Sequence, residues 1–292
     1  MIWVAATLIA AIAQTGRNAA QAGLTGRVGT IGATAVRFLF GLPFAALFLL
    51  ILSPVAEIPS LGLRAVGFTA LGAAAQIAAT ALMLLTMRGQ GFGIATALMK
   101  TEPVTLAIFG ALALSEPLGP ARMAAIALAT TGVVLASGAR WSRISLAPVL
   151  TGVTSGALFG VSAIGFRGAL LSLPEGGYFI HALTVLVLTL ALQSFAMLVW
   201  LGATAPGTLR AIFAEWRISL AAGALGAFAS LFWFIGFALT PAANVRTLAL
   251  VEVVFAQVVS GRIFHETTQR AQLIGIVLIV AGVAWLLAVA AT

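Results

Sequence analysis

Long apolar runs are the feature that most limits how this chain can fold. A helix needs about 20 mostly apolar residues to cross about 30 Å of hydrocarbon, and short connections separate runs of that length along the chain. We predict ten such runs, at residues 2–23, 30–52, 64–88, 92–114, 120–138, 147–172, 177–202, 216–240, 243–261 and 271–291. Only 8% of the 292 residues are charged, too few to give this chain a water-soluble surface. The sequence therefore predicts an all-α integral membrane protein with ten transmembrane helices.

The chain carries an internal repeat with an offset of 150 residues. Three pairs of charged residues are related by this offset: Arg17 and Arg167, Glu102 and Glu252, Glu116 and Glu266. Because so few charges are available to coincide, these matches favour a duplication over chance. We predict two homologous five-helix repeats, residues 1–140 and 147–292, joined by a linker at 141–146.

An odd number of helices in each repeat makes the second repeat enter the membrane in the opposite orientation. The loops that follow odd-numbered predicted helices contain Arg27, Arg88, Arg140, Arg143, Arg210, Arg217, Arg262 and Arg270, whereas the other loops contain Arg64 and Arg122. Cytoplasmic loops are enriched in basic residues, so we expect the odd loops in the cytoplasm and both termini outside. Inverted repeats are typical of secondary transporters, which bind substrate near the midplane.

Three stretches carry a family resemblance in their order and spacing. They are "VRFLFGLP" (Val36–Pro43), "TEPVTLAIFGALALSEPLG" (101–119) and "GVVLAS" (132–137). With the five-plus-five arrangement they resemble the drug/metabolite transporter superfamily, EamA type, over essentially the whole chain. In this resemblance Arg37 matches a basic residue that is frequent in the second helix of the family.

The resemblance implies a transporter of the inner (plasma) membrane rather than an enzyme. Known members move amino acids, drugs, nucleotide sugars or phosphorylated sugars, and this chain looks most like bacterial exporters of neutral or aromatic amino acids. Two alternatives stay open: efflux of lipophilic cations, and a non-transporting membrane subunit. We expect a small-molecule substrate, a surrounding lipid bilayer and a monomer.

Charged side chains inside the predicted spans are the first candidates for a site. A charge at bilayer depth costs roughly 2.5–3.5 kcal/mol on insertion scales, so it usually faces the protein interior or a water-filled path. Arg37, Lys100 and Glu102 in the first repeat, with Arg246 and Glu252 in the second, fit this description. On continuous helices Lys100 and Glu102 point apart, as do Arg246 and Glu252. Partners on other helices are therefore expected, either as structural ion pairs or as substrate and proton contacts. For Arg17 and Arg167, nearer the helix ends, burial and reaching to the lipid headgroups are equally open.

Amides and one aromatic ring complete the predicted site. Gln14 and Gln76 lie inside spans, where their amides need partners on neighbouring helices or in a cavity. Asn244 opens the predicted ninth helix in "TPAANVR", where free backbone N–H groups favour an anion such as a substrate carboxylate. Trp233 lies deep in the predicted eighth helix, so it could line the cavity and stack on substrate, or simply pack.

Several other classes of function are excluded by what the chain lacks. There is no cysteine, "GQGFG" (Gly89–Gly93) follows no strand, and "HE" (His265–Glu266) lacks the second histidine of a zinc helix. The net charge of +8 comes from bases scattered among short loops, unlike a nucleic-acid surface. We expect no cofactor, no metal ion and no catalytic residues.

Overall fold

The computed structural model describes residues 2–90, 95, 98–100, 102–116, 119–136, 146–253 and 270–291, and regular structure in these ranges is helical. The helices are α1 (Ile2–Leu39), α2 (Leu42–Leu52), α3 (Leu63–Gln90), α4 (Glu102–Leu114), α5 (Pro120–Ala136), α6 (Leu146–Leu171), α7 (Tyr178–Thr204), α8 (Pro206–Ala214), α9 (Trp216–Leu239), α10 (Ala242–Leu248) and α11 (Arg270–Ala291). The all-α prediction is confirmed for this part of the chain.

Six apolar stretches in the described residues are long enough to cross a membrane. They are Gly23–Leu52, Leu63–Arg88, Leu146–Leu171, Tyr178–Thr204, Trp216–Leu239 and Arg270–Ala290. The apolar helices α4 and α5 are shorter. The predicted linker apart from Leu146 and the last part of the predicted ninth span, 254–261, lie outside the described residues, as do His265, Glu266 and residues 91–93 of "GQGFG". The described residues therefore support several spans, and the count of ten stays a prediction.

The helix α1 reverses direction at Gly29. This residue has φ 74° and ψ 171°, a conformation that essentially only glycine adopts. The Gln21 side-chain amide donates to the Ala33 carbonyl at 2.9 Å, whereas 12 residues of continuous helix would separate these positions by about 18 Å. The predicted spans 2–23 and 30–52 are thus the two arms of a hairpin, and the second arm continues into α2 after a turn at Phe40–Gly41.

Two of the predicted helices are interrupted just before a glutamate. Lys100 lies in a turn, and α4 begins at Glu102. α10 ends at Leu248 and a turn at Ala249–Leu250 follows, in which the Leu250 N–H bonds to the Thr247 carbonyl at 3.0 Å. The prediction of continuous helices over 92–114 and 243–261 is therefore wrong at these points. The second segment tightens into i to i−3 turns, and at the first Pro103 lacks the N–H that would bond to the preceding turn.

Small residues allow the closest helix contacts. Helix α1 packs on α9, α3 on α6, and α5 on α11. A Cβ at Gly132 would lie 2.6 Å from the Gly275 carbonyl oxygen, and one at Gly282 would lie 2.6 Å from the Ala129 nitrogen. Helices in lipid associate through such small-residue contacts. The backbones of α5 and α11 therefore touch directly.

Polar contacts hold three of the loop regions together at one end of the molecule. Arg27, beside the α1 reversal, pairs with Glu215 at 3.0 Å, between α8 and α9. Arg88, at the end of α3, donates to the Thr30 hydroxyl at 3.1 Å. The predicted odd loops 1–2, 3–4 and 7–8 therefore share one end of the structure. The short helix α8, which begins with a proline at its first turn, lies in a segment predicted as a plain loop.

Candidate functional site

Two ion pairs cross between the interrupted segments. Lys100 pairs with Glu252, and the Arg246 Nε lies 3.1 Å from the Glu102 Oε1, with both of these side chains only 9% exposed. Each glutamate is thus neutralised by a base from the other half of the chain. The expectation that these charges find partners on other helices is confirmed, although the angular argument for it assumed continuous helices.

The ion pairs border a partly open cavity with a volume of about 40 Å³. Its lining combines charged side chains from the two interrupted segments with side chains of α1, α3 and α6. The lining residues are Gln14, Arg17, Asn18, Met83, Met99, Lys100, Glu102, Phe159, Arg246 and Glu252. Five predicted site residues are among them: Gln14, Lys100, Glu102, Arg246 and Glu252. The cavity thus combines charge, amides and an apolar wall of two methionines and a phenylalanine.

Trp233 lies behind the cavity lining and supports two of its residues. The indole N–H donates to the Gln14 side-chain oxygen at 2.9 Å. The Arg246 guanidinium lies over the indole ring, 4.2 Å from its centroid. Trp233 itself is 3% exposed and is not among the described lining residues. The ring therefore stacks on Arg246 in this structure, which corresponds to the packing alternative.

The other predicted site residues, Arg37, Gln76 and Asn244, also lie outside the described lining. Gln76 accepts a hydrogen bond from Gln193 Nε2 at 2.9 Å, which joins α3 to α7. Asn244 donates to the Thr240 hydroxyl at 3.0 Å, and Arg37 makes a long hydrogen bond of 3.4 Å to the Thr80 hydroxyl. Gln193 was not predicted, although an amide inside an apolar run is the same signal that pointed to Gln76.

Arg17 is a further cation in the cavity lining. The sequence left open whether this side chain is buried or reaches the lipid headgroups. Its side chain is buried, with 1% exposed, so it does not reach the headgroup region from this position. The Nε and Nη2 groups both donate to the Asn18 side-chain oxygen, at 3.2 and 2.6 Å. Nη1 is buried without a hydrogen-bond partner among the described residues. A buried guanidinium in the cavity wall thus retains free donors.

The model of the EamA-like transporter family matches the chain twice, over residues 1–138 and 146–288. The chain belongs to the EamA-like transporter family. Members of this family, part of the drug/metabolite transporter superfamily, are membrane transporters of small molecules and not typically enzymes. The protein is therefore a multi-pass membrane transporter.

A solved structure has the same fold. It is titled "Crystal structure of protein" and matches with a TM-score of 0.72 and 18% sequence identity, over 99% of this chain and 95% of that one. At this identity the likeness shows the fold alone. The comparison with curated proteins gives no match.

The EamA-like transporter carries a further ion pair, away from the cavity lining. The Arg167 Nε lies 2.8 Å from the Glu116 Oε1, and its Nη1 donates to the carbonyls of Phe237 and Ala238 at the end of α9. Both side chains of the pair are about nine-tenths buried, at 11% and 10% exposed. Glu116 follows the end of α4, where the sequence alone favours a solvated or helix-capping carboxylate, but it is largely buried because the end of α6 packs over it.

Replacing Trp233 by phenylalanine should destabilise this transporter. The smaller ring keeps an aromatic face for Arg246, but it removes the N–H donor to Gln14, a loss of about 0.5–1.5 kcal/mol. Thermal unfolding of the purified protein measures the effect. Trp285→Phe is the matched control, since Trp285 is 43% exposed, and we expect a change within about 0.5 kcal/mol there. Equal losses in both variants would show that the Gln14 hydrogen bond contributes nothing.

Proposed function

We propose that this protein is a secondary transporter that exports neutral or aromatic amino acids across the inner (plasma) membrane by alternating access. The observation that carries the proposal is the cavity itself: a buried, mixed-charge chamber between two halves of the chain. No ATP-binding motif was found in the sequence, so the energy would come from ion or substrate gradients. The protein would act as a monomer.

The proposed architecture is ten helices in two inverted repeats, residues 1–140 and 147–292. The two matches to the family model support it, since they cover the two halves separately. The interruptions at Lys100 and Leu250 are 150 residues apart. At the contact of α5 with α11, a Cβ at Gly132 would meet Gly275 and Ile279, while one at Gly282 would meet Ala125 and Ala129. These are the same contacts with the two halves exchanged, as expected for a two-fold relation.

The packing of other helices supports the same relation. In the proposed ten-helix order, α1 contains helix one and α9 is helix eight, so the contact of α1 with α9 includes helices one and eight. The contact of α3 with α6 joins helices three and six. Exchange of the repeats converts helix one into helix six and helix eight into helix three. Each pair is thus the counterpart of the other. A cavity at the boundary of two inverted repeats is where secondary transporters bind substrate.

The cavity chemistry favours a zwitterion with an apolar side chain over a lipophilic cation. Both acids of the lining, Glu102 and Glu252, are already engaged by bases. Met83, Met99 and Phe159 provide soft, adaptable apolar contacts for a side chain. A lipophilic cation would need an acid without a nearby base. A non-transporting subunit, the other alternative, would have no need of a polar internal cavity.

Flux into proteoliposomes tests the proposal. We expect labelled phenylalanine to exchange across the membrane, unlabelled methionine to compete, and cationic dyes or sugar phosphates not to compete. Transport of dyes without amino-acid flux would instead establish multidrug efflux. Absence of any solute movement would favour the membrane subunit.

A matched pair of variants links the flux to the cavity. Lys100→Met should lower phenylalanine flux at least about tenfold, equivalent to 1.4 kcal/mol, because Glu252 loses its partner at the cavity wall. Arg210→Met removes an exposed cation in α8 and should leave the flux unchanged. Equal flux in both variants, at equal amounts of inserted protein, would show that transport does not depend on this cavity.

A further inference from the structure

The charges of the cavity lining do not balance. Three bases, Arg17, Lys100 and Arg246, face two acids, Glu102 and Glu252. Lys100 and Arg246 are each matched to one of the acids. Arg17 makes no ion pair at contact distance with a described residue, and its hydrogen bonds go to the neutral amide of Asn18. The lining therefore carries one surplus cation at a defined position.

A second arginine strengthens the positive field at this position. A Cβ at Gly226 would lie 3.4 Å from Arg17 Cδ and 3.4 Å from Arg37 Cγ, so the two arginine stems pack on the same small residue of α9. Arg37 is 3% exposed, and its described polar contact is a hydroxyl. Two buried guanidinium groups without a carboxylate are costly in the absence of an anion. An anion in the cavity would offset that cost.

The geometry of Arg17 suits a carboxylate. The planar guanidinium presents parallel N–H donors that match the two oxygens of a carboxylate group. Asn18 holds one edge of this plane, which limits its rotation, and the buried Nη1 remains available. The amine of a substrate has no equivalent binding partner in the lining, because both acids of the lining are already paired with bases. Recognition of the two ends of an amino acid would thus be unequal.

We propose that Arg17 binds the carboxylate of the transported molecule, and that this carboxylate is required while the amine is dispensable. The ligand class is a monocarboxylate with an apolar body, which would lie against Met83, Met99 and Phe159. Neutral amino acids belong to this class, and so do acids without an amine. That the molecule is transported rests on the proposed function, whereas the preference for a carboxylate concerns binding alone.

Binding to the purified protein in detergent tests the preference with four related probes. Phenylalanine and 3-phenylpropionate carry the carboxylate, whereas phenylalaninamide and 2-phenylethylamine do not. We expect the first two to raise the thermal midpoint and the last two to leave it unchanged at the same concentration. Equal stabilisation by phenylalaninamide and phenylalanine would overturn the proposal.

Variants assign the preference to Arg17. In Arg17→Gln, the dissociation constant for 3-phenylpropionate should rise at least tenfold, and in the exposed control Arg210→Gln it should stay unchanged. Arg17→Lys keeps the charge but loses the paired donors, so we expect intermediate binding. Should Arg17→Gln fail to fold, Arg17→Lys carries the test, and wild-type affinity there would overturn the role of the guanidinium.

The outcome is distinguishable from that of the transport proposal. Carboxylate-selective binding that depends on Arg17, without any flux, would refute transport and support this inference. Phenylalanine flux that phenylalaninamide inhibits as strongly as unlabelled phenylalanine does would support transport and refute this inference.

Discussion

Glu102→Gln should lower the stability of the folded protein by about 3–5 kcal/mol, since it leaves Arg246 buried without its carboxylate. The Arg246 guanidinium still lies over the Trp233 ring, and a ring face compensates only part of a lost ion pair. The thermal midpoint of the purified variant measures the loss. Because the same pair borders the cavity, we also expect phenylalanine flux to be abolished. This loss should be larger than any decrease in the amount of protein inserted in the membrane.

Two further variants separate the ion pair from a general effect of charge removal. Glu57→Gln removes an exposed carboxylate between α2 and α3 and should leave the midpoint unchanged. The double variant Glu102→Gln with Arg246→Met should recover much of the stability, because it removes the unpaired cation and keeps an adaptable side chain on Trp233. A double variant as unstable as Glu102→Gln alone would contradict this account.

Gly132→Ala is the second substitution with a large expected effect. The added methyl group would lie 2.6 Å from two backbone atoms, the Gly275 oxygen and the Ile279 nitrogen. Backbone atoms of a packed helix cannot move aside as a flexible side chain can, so α5 and α11 must separate. We expect a loss at or above the upper end of the about 1–3 kcal/mol that overpacking usually costs, measured by thermal unfolding.

A glycine with open space around it provides the control. Gly67 lies within α3, and no atom would meet a Cβ there within 4 Å. Gly67→Ala should therefore stabilise the protein by about 0.5–1 kcal/mol, the usual advantage of alanine over glycine in a helix. Gly282→Ala should resemble Gly132→Ala, because its contact is the reciprocal one. Wild-type stability of Gly132→Ala would show that the two helices can separate freely.

Sequence reasoning found the charged part of the site because of what hydrocarbon does to charge. Lys100, Glu102, Arg246 and Glu252 stand in apolar surroundings, so they had to face the interior, and the structure brings all four to one cavity. The pairing of Lys100 with Glu252 and of Arg246 with Glu102 could not be read from spacing. It depends on turns at Lys100 and at Ala249–Leu250. Pro103 at the start of α4 marks the first turn, whereas no proline or glycine marks the second.

Polar residues outside the charged set were harder to place. An amide in an apolar run must find a partner, but Gln76 found Gln193 on α7 whereas Gln14 lies in the cavity lining beside Trp233. Both arrangements satisfy the same hydrogen-bonding requirement. The choice between them depends on which helix faces which, and that is a property of the packed molecule.

Composition and spacing establish that this chain is helical, apolar enough for a membrane and charged at a few interior positions. These properties follow from the local cost of placing each side chain in hydrocarbon, which acts residue by residue. The packing of the helices adds what no local property expresses: Trp233 stacks on Arg246, Glu116 is buried under Arg167, and Arg17 is left as the surplus cation. Such outcomes depend on distances of a few ångströms between helices far apart in the chain, because an ion pair or hydrogen bond forms only at contact.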